Sequence, residues 1–155
     1  MIETPEIVEV IAQPIASLRV IAKWSEMRAM MGSGLRELRE AVAAQGVVAT
    51  GPWFNHHFRA PTDTFDFAIC LPVAAPVQPT GRVMPTVLPA GRAARATYHG
   101  NYDRLGAAWG ELRQWIAAKG LMTREEFWEV YLVGPDSSAN PADWRTQLNW
   151  PLAAP

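Results

Sequence analysis

Two stretches of the chain repeat one order of hydrophobic periods: a period of two, a period near 3.6, then two further segments of period two. That order constrains the fold more than any composition value, because a helix-period pattern cannot bury its apolar face as a strand, nor the reverse. In the first stretch, residues 14–22 alternate Ala16, Leu18 and Val20 with Ser17 and Arg19, as a half-buried strand does. Ile7, Val8, Val10 and Ile11 either extend this strand or lead into it. Between residues 25 and 45, Met27, Met31, Leu35, Leu38 and Val42 fall at helical spacing, and Gly46 suits a C-terminal cap. Gly32 and Gly34 each weaken that helix by about 1 kcal/mol relative to Ala, so a bend or two shorter helices is expected. After Gly51-Pro52, residues 53–58 read as a short aromatic and histidine-rich strand. Residues 65–73 read as a stronger one, with Phe65, Phe67, Ile69 and Leu71 on one side. Pro72 fits a strand end or edge, since it supplies no backbone donor.

Residues 74–82 carry Pro76, Pro79 and Gly81 and read as the connection to the second stretch. There, residues 83–88 lead through the turn Pro89-Ala90-Gly91 to a strand at 92–98. A helix at 102–119 follows, with an apolar stripe of Leu105, Ala108, Trp109, Leu112 and Ile116 and a stop at Gly120. Thr123 and Glu126 have capping-box spacing for a brief turn. Residues 127–133 and 144–152 are the closing strands, separated by a polar loop at 135–143. Gly46 and Gly120 stop corresponding helices, and LPV at 71–73 matches WPL at 150–152. The expected fold class is therefore α+β: a tandem strand-helix-strand-strand pseudo-repeat joined in one curved antiparallel sheet. Both main helices are expected on one face and a ligand cleft on the opposite face. The expected division is a first half at about 5–73, a connection at 74–82 and a second half at 83–152 within a single domain.

Composition narrows the function classes. With 49% apolar and 19% charged residues, the chain is globular rather than disordered. Its 14 basic and 15 acidic residues leave a net charge of -1, which gives no long-range attraction for nucleic acid. The basic residues Arg28, Arg36 and Arg39 are interleaved with Glu26, Glu37 and Glu40, the pattern of a solvated helix surface. Cys70, the single cysteine, can make no intramolecular disulfide and no thiolate zinc site, and it lies in an apolar run as a buried thiol would. No secretory leader and no membrane-length apolar segment is evident, so a cytoplasmic location is the expectation. No Ser/His/Asp arrangement, metal cluster or dinucleotide-binding glycine loop is present, and neither a metal nor a cofactor is expected.

The segment LPAGRAARATYHGNYDRL at 88–105 resembles the GyrI-like small-molecule-binding family, which includes effector-binding domains of bacterial multidrug-responsive transcription regulators. GPWF at 51–54, FDFAICLPV at 65–73, WIAAKGL at 115–121, WEVYL at 128–132 and PADWRTQLNWPL at 141–152 extend the resemblance over nearly the whole chain. The resemblance implies paired strand-helix-strand-strand units with a central pocket. Regulators of this kind usually carry a preceding DNA-binding module. The family-like region here starts near residue 1, so no separate DNA-binding domain and no sequence-specific DNA binding are expected. Free-standing members include small-molecule binders, proteins that contact another macromolecule, and relatives of hydrolases acting on strained cyclopropane-containing compounds.

Alternation in the strand at 127–133 puts Phe127, Glu129 and Tyr131 on one face, a carboxylate between two rings suited to an aromatic or weakly cationic ligand. The resemblance also gives WEVY the place of the family's acidic pocket residue. His57 lies where family members often carry tyrosine, and Tyr98 where they carry histidine or tyrosine. Trp53, Phe54 and Trp150 are candidate aromatic walls among the 7 Trp and 5 Phe, whereas Trp109 and Trp115 are assigned to helix packing. Ala68 and Gln147 stand where related sequences often have acids, which leaves Glu129 as the main charged anchor. The leading expectation is binding of hydrophobic or aromatic, weakly cationic small molecules for sequestration or ligand-dependent regulation. The enzyme alternative is hydrolysis with Glu129 as base and His57 or Tyr98 as proton donor. The third reading is a module that binds a protein partner, such as a topoisomerase. The sequence leaves the oligomeric state open.

Overall fold

The computed structural model describes residues 2–154. Eight strands and two helices follow in the order β1 (Glu6–Val10), β2 (Gln13–Lys23), α1 (Met27–Ala44), β3 (Phe54–His57), β4 (Thr64–Pro72), β5 (Val83–Leu88), β6 (Gly91–His99), α2 (Leu105–Ala118), β7 (Phe127–Val133) and β8 (Arg145–Pro151). Short 3-10 turns precede both helices and β8. Among the described residues, no helix is long and apolar enough to cross a membrane.

The chain divides into two compact units, one of residues 11–90 and one of the N-terminal ten residues with residues 91 onward. In the first, β2 lies between β4 and β5, and β3 pairs with the other edge of β4, all antiparallel. In the second, β6 lies between β1 and β8, and β7 pairs with the other edge of β8, again antiparallel. The strand at 83–88 therefore pairs with β2 rather than with the strands that follow it. Residues 6–10 do not extend β2 but form a separate strand on β6. A short apolar run carries no mark of which strand it will pair with; here the break falls at Ile11 and Ala12.

Each unit packs its helix on one face of its own sheet. Leu38, Ala41 and Val42 of α1 bury against Ala16, Leu18, Val20, Phe67, Ile69 and Leu71. Ala108, Leu112 and Ile116 of α2 bury against Ala94, Ala96, Tyr98 and Leu148. Both helices end in the expected way. Gly46 and Gly120 adopt φ of 68° and 71°, and the amides of Val47 and Leu121 bond back to the carbonyls of Val42 and Ile116. The division into two shorter helices at Gly32 and Gly34 does not occur: α1 is continuous through both. At Gly34 a Cβ would stand 2.7 Å from Ile69 Cδ1, so the missing side chain lets the helix approach the sheet. Thr123 and Glu126 do not start a helical turn, because Thr123 bridges to Leu152 and the amide of Arg124 bonds to the carbonyl of Pro151.

Candidate functional site: a buried carboxylate in an aromatic enclosure

Alternation along β7 sends Phe127, Glu129 and Tyr131 to the face that carries α2. The candidate carboxylate thus lies on the helix-bearing face, and α2 supplies one of its partners. Trp109 Nε1 donates to Glu129 Oε1 at 2.7 Å, and the Tyr131 hydroxyl donates to Glu129 Oε2 at 2.6 Å. Glu129 is 9% exposed. Its hydrogen-bond partners are both neutral, and among the described residues no ion pair reaches it. Burying a carboxylate is costly unless donors replace its hydration, and two short hydrogen bonds do so here without cancelling its charge.

Aromatic rings continue on both sides of the carboxylate. Trp109 meets Phe127 and Trp150 edge-on, with centroids 4.8 and 5.4 Å apart, and Phe127 lies 5.6 Å from Trp150. Trp150 is further fixed by donation from its Nε1 to the Arg124 carbonyl. On the other side, Tyr102 stacks on Trp144 at 5.0 Å and meets Tyr131 edge-on at 6.0 Å. Burial, and next the negative charges of Glu129 and Asp136, raise the Tyr102 phenol above its ordinary pKa. Phe127 is buried, whereas Trp109, Tyr131, Trp144 and Trp150 are half-buried and Tyr102 is exposed. The arrangement offers ring faces and one anion, the ingredients for holding a flat hydrophobic molecule or an organic cation.

Tyr98 sits in the α2 core, and its hydroxyl donates to the Asn101 carbonyl at 2.7 Å. It pairs with Thr146 on β8, which in turn pairs with Tyr131. Two strand spacings, about 10 Å, thus separate the β6 backbone at Tyr98 from β7. The hydroxyl at the carboxylate is that of Tyr131. His57 belongs to the other unit, buried and stacked on Phe67 at 5.2 Å on the face that carries α1. Trp53 packs against the α1 core. Phe54 takes the opposite face, where it joins Ile15, His56, Phe58, Ala68 and Cys70 around a shallow hollow of about 110 Å³. The Cys70 thiol in that hollow is pushed up to about 12 by burial, which keeps it protonated and unreactive.

Sequence reasoning passed over Trp109, Tyr102 and Trp144. It also passed over Asn55, which holds in its unit the place of Glu129: Asn55 pairs with Ile69, as Glu129 pairs with Leu148. Asn55 Nδ2 contacts Met31 Sδ of α1 at 3.7 Å, much as Trp109 of α2 reaches Glu129. Aligning the two stops Gly46 and Gly120 superposes WFNHH at 53–57 on FWEVY at 127–131, a signal the sequence held.

The comparisons agree with this architecture. The C-terminal domain of EcmrR has a TM-score of 0.87 and 22% identity over 98% of both chains. EcmrR in its DNA complex has a TM-score of 0.88 and 21% identity over 98% of this chain, which spans 58% of that longer one. SAV2435 bound to tetraphenylphosphonium is similar at a TM-score of 0.64 and 7% identity, over 98% of this chain and 95% of that one. A hydrolase from Listeria innocua is similar at a TM-score of 0.63 and 13% identity, over 96% and 91%. At such identities the likeness is one of fold. No curated protein sequence gives a significant match. Residues 3–153 match the GyrI-like small molecule binding domain, and the chain belongs to that family.

Proposed function

We propose that the chain binds hydrophobic aromatic small molecules at Glu129, cationic ones in preference to neutral ones, for sequestration or ligand-dependent regulation. The observation that carries this reading is the buried carboxylate whose two partners are neutral donors within a set of aromatic rings. Trp109 and Tyr131 stabilise the anion and orient it but add no positive charge, so a negative potential persists where water is scarce. A small hydrated cation loses more hydration on entry than ring faces restore. An aromatic cation spreads its charge over an apolar body and gains ring contacts as well as attraction to the anion.

Tetraphenylphosphonium, the compound bound by the structurally similar SAV2435, is a suitable probe because of its delocalised charge. Triphenylphosphine oxide serves as a neutral counterpart. Quenching of tryptophan fluorescence, checked by calorimetry, is expected to show saturable binding of both with the cation bound more tightly. Absence of saturable binding for either compound counts against the proposal.

A further inference from the structure

Tyr102 is held by contacts that a merely solvated tyrosine would lack. It opens the 3-10 turn Tyr102–Arg104, whose preceding residue Asn101 is fixed twice: its side chain accepts from the Asp103 amide, and its carbonyl accepts from the Tyr98 hydroxyl. The ring is stacked on Trp144 and set edge-on to Tyr131, which holds Glu129. The space for its hydroxyl exists because residue 134 is glycine: a Cβ there would stand 3.1 Å from Tyr102 Oη. Such a gap is tighter than ordinary carbon–oxygen contact, so a Cβ at 134 makes the phenol give by a few tenths of an ångström.

We propose that Tyr102 is the selectivity wall of the Glu129 site, a ring fixed by the Tyr98–Asn101 clamp and admitted by Gly134, against which the flat face of an aromatic ligand lies. The assignment rests on the Glu129 reading for the identity of the site and adds the residue that discriminates ring shape. It also gives Tyr98 a part as a positioning residue, acting through Asn101 rather than by contact with the ligand. The phenol is raised by burial first and by the charge of Glu129 next, which agrees with the placement.

The test compares the planar cation ethidium with the propeller-shaped tetraphenylphosphonium in the full chain, first as wild type, Tyr102→Phe, Tyr102→Ala, Gly134→Ala and the double variant Gly134→Ala/Tyr102→Phe. One aromatic contact corresponds to roughly 2–12-fold in affinity. Tyr102→Ala is expected to weaken ethidium by that factor and tetraphenylphosphonium by less, with Tyr102→Phe within about twofold of wild type. Gly134→Ala is expected to weaken ethidium in the same direction by a smaller factor, and the double variant to restore binding, because the atom in conflict is the hydroxyl oxygen that Phe lacks. Tyr98→Phe should shift the same affinity ratio, which a purely structural role would leave unmoved. Equal affinities for both ligands in wild type and Tyr102→Ala overturn the assignment, as does a Gly134→Ala loss that Tyr102→Phe fails to rescue. Glu129→Gln separates the two readings. If it leaves cation binding intact while the Tyr102 pattern holds, the charge argument falls and the wall stands. If wild type binds neither cation, both fall.

Discussion

Replacing Glu129 by Gln removes one charge and almost no volume. The amide oxygen can still accept from Trp109 Nε1, and the amide nitrogen can face Tyr131, whose hydroxyl turns from donor to acceptor. Two charge-assisted bonds become neutral ones, a loss of about 1 kcal/mol each, while the penalty for burying a carboxylate disappears. Stability is therefore expected to change by no more than about 1 kcal/mol. The effect on a bound cation is larger. A unit charge held about 5 Å from the carboxylate gains about 3 kcal/mol at an effective dielectric constant near 20. Partial desolvation of the ligand reduces that gain, leaving roughly 10–100-fold in affinity. Calorimetric titration of wild type and Glu129→Gln with tetraphenylphosphonium and triphenylphosphine oxide measures it directly. The expected outcome is a loss confined to the cation, with the neutral compound within about threefold. An equal loss for both would refute the reasoning, because the substitution would then be acting through the shape of the site. Equal retention of both would refute it too, because the charge would be irrelevant to binding.

Glu129→Ala is expected to behave differently from Glu129→Gln, costing about 2–5 kcal/mol of stability in denaturant titration, because the donors of Trp109 and Tyr131 lose their acceptor. Gly32→Ala should stabilise α1 by about 1 kcal/mol, since a Cβ there meets nothing within 4 Å. Gly34→Ala should show none of that gain, its net effect being a destabilisation of about 0–2 kcal/mol, since the new Cβ forces Ile69 aside; equal midpoints for the two variants would contradict the packing argument. The hydrogen bond from Arg19 holds the Asp66 carboxyl below its ordinary value, so its contribution is full above about pH 4 and is lost as pH falls through the lowered folded pKa. Asp66→Asn should accordingly flatten the acid limb of a stability–pH profile. Cys70 should resist thiol reagents at pH 8 in the folded protein and react on unfolding; rapid native-state labelling would contradict its burial.

The parts of the fold legible in the sequence were those set by local periodicity. Leu38 and Val42 lie on one stripe of α1, Leu112 and Ile116 on one stripe of α2, and the glycines at 46 and 120 end both helices. Alternation was likewise enough to put Phe127, Glu129 and Tyr131 on one face of β7. Partner choice was not legible. Residues 7–11 look equally suited to extending β2 and to pairing elsewhere, because strand pairing depends on tertiary packing that no local window contains. Trp109 was hidden for a related reason. On an apolar helical stripe a tryptophan reads as packing, and packing it does provide, but its indole N–H also needs an acceptor when buried. Twenty residues later in the chain, Glu129 supplies it. Tyr102 and Trp144 lie just before an element rather than inside one, in a turn and ahead of β8, where periodicity carries no signal.

The pairing of β1 with β6 has a consequence for the order in which the protein is made. Residues 11–90 form a contiguous unit, with every strand of its sheet available once its last residue has emerged. The other unit draws on β1, synthesised well before its partner β6, which does not exist until residues 91–99 are translated. At typical elongation rates of about 5–20 residues per second, β1 waits roughly 4–17 s with its backbone unpaired. Unpaired strands invite association between nascent chains, and charge is the usual defence. Glu6 and Glu9 interrupt the apolar residues of β1 and remain exposed in the folded chain, so this waiting segment carries its own protection against premature pairing.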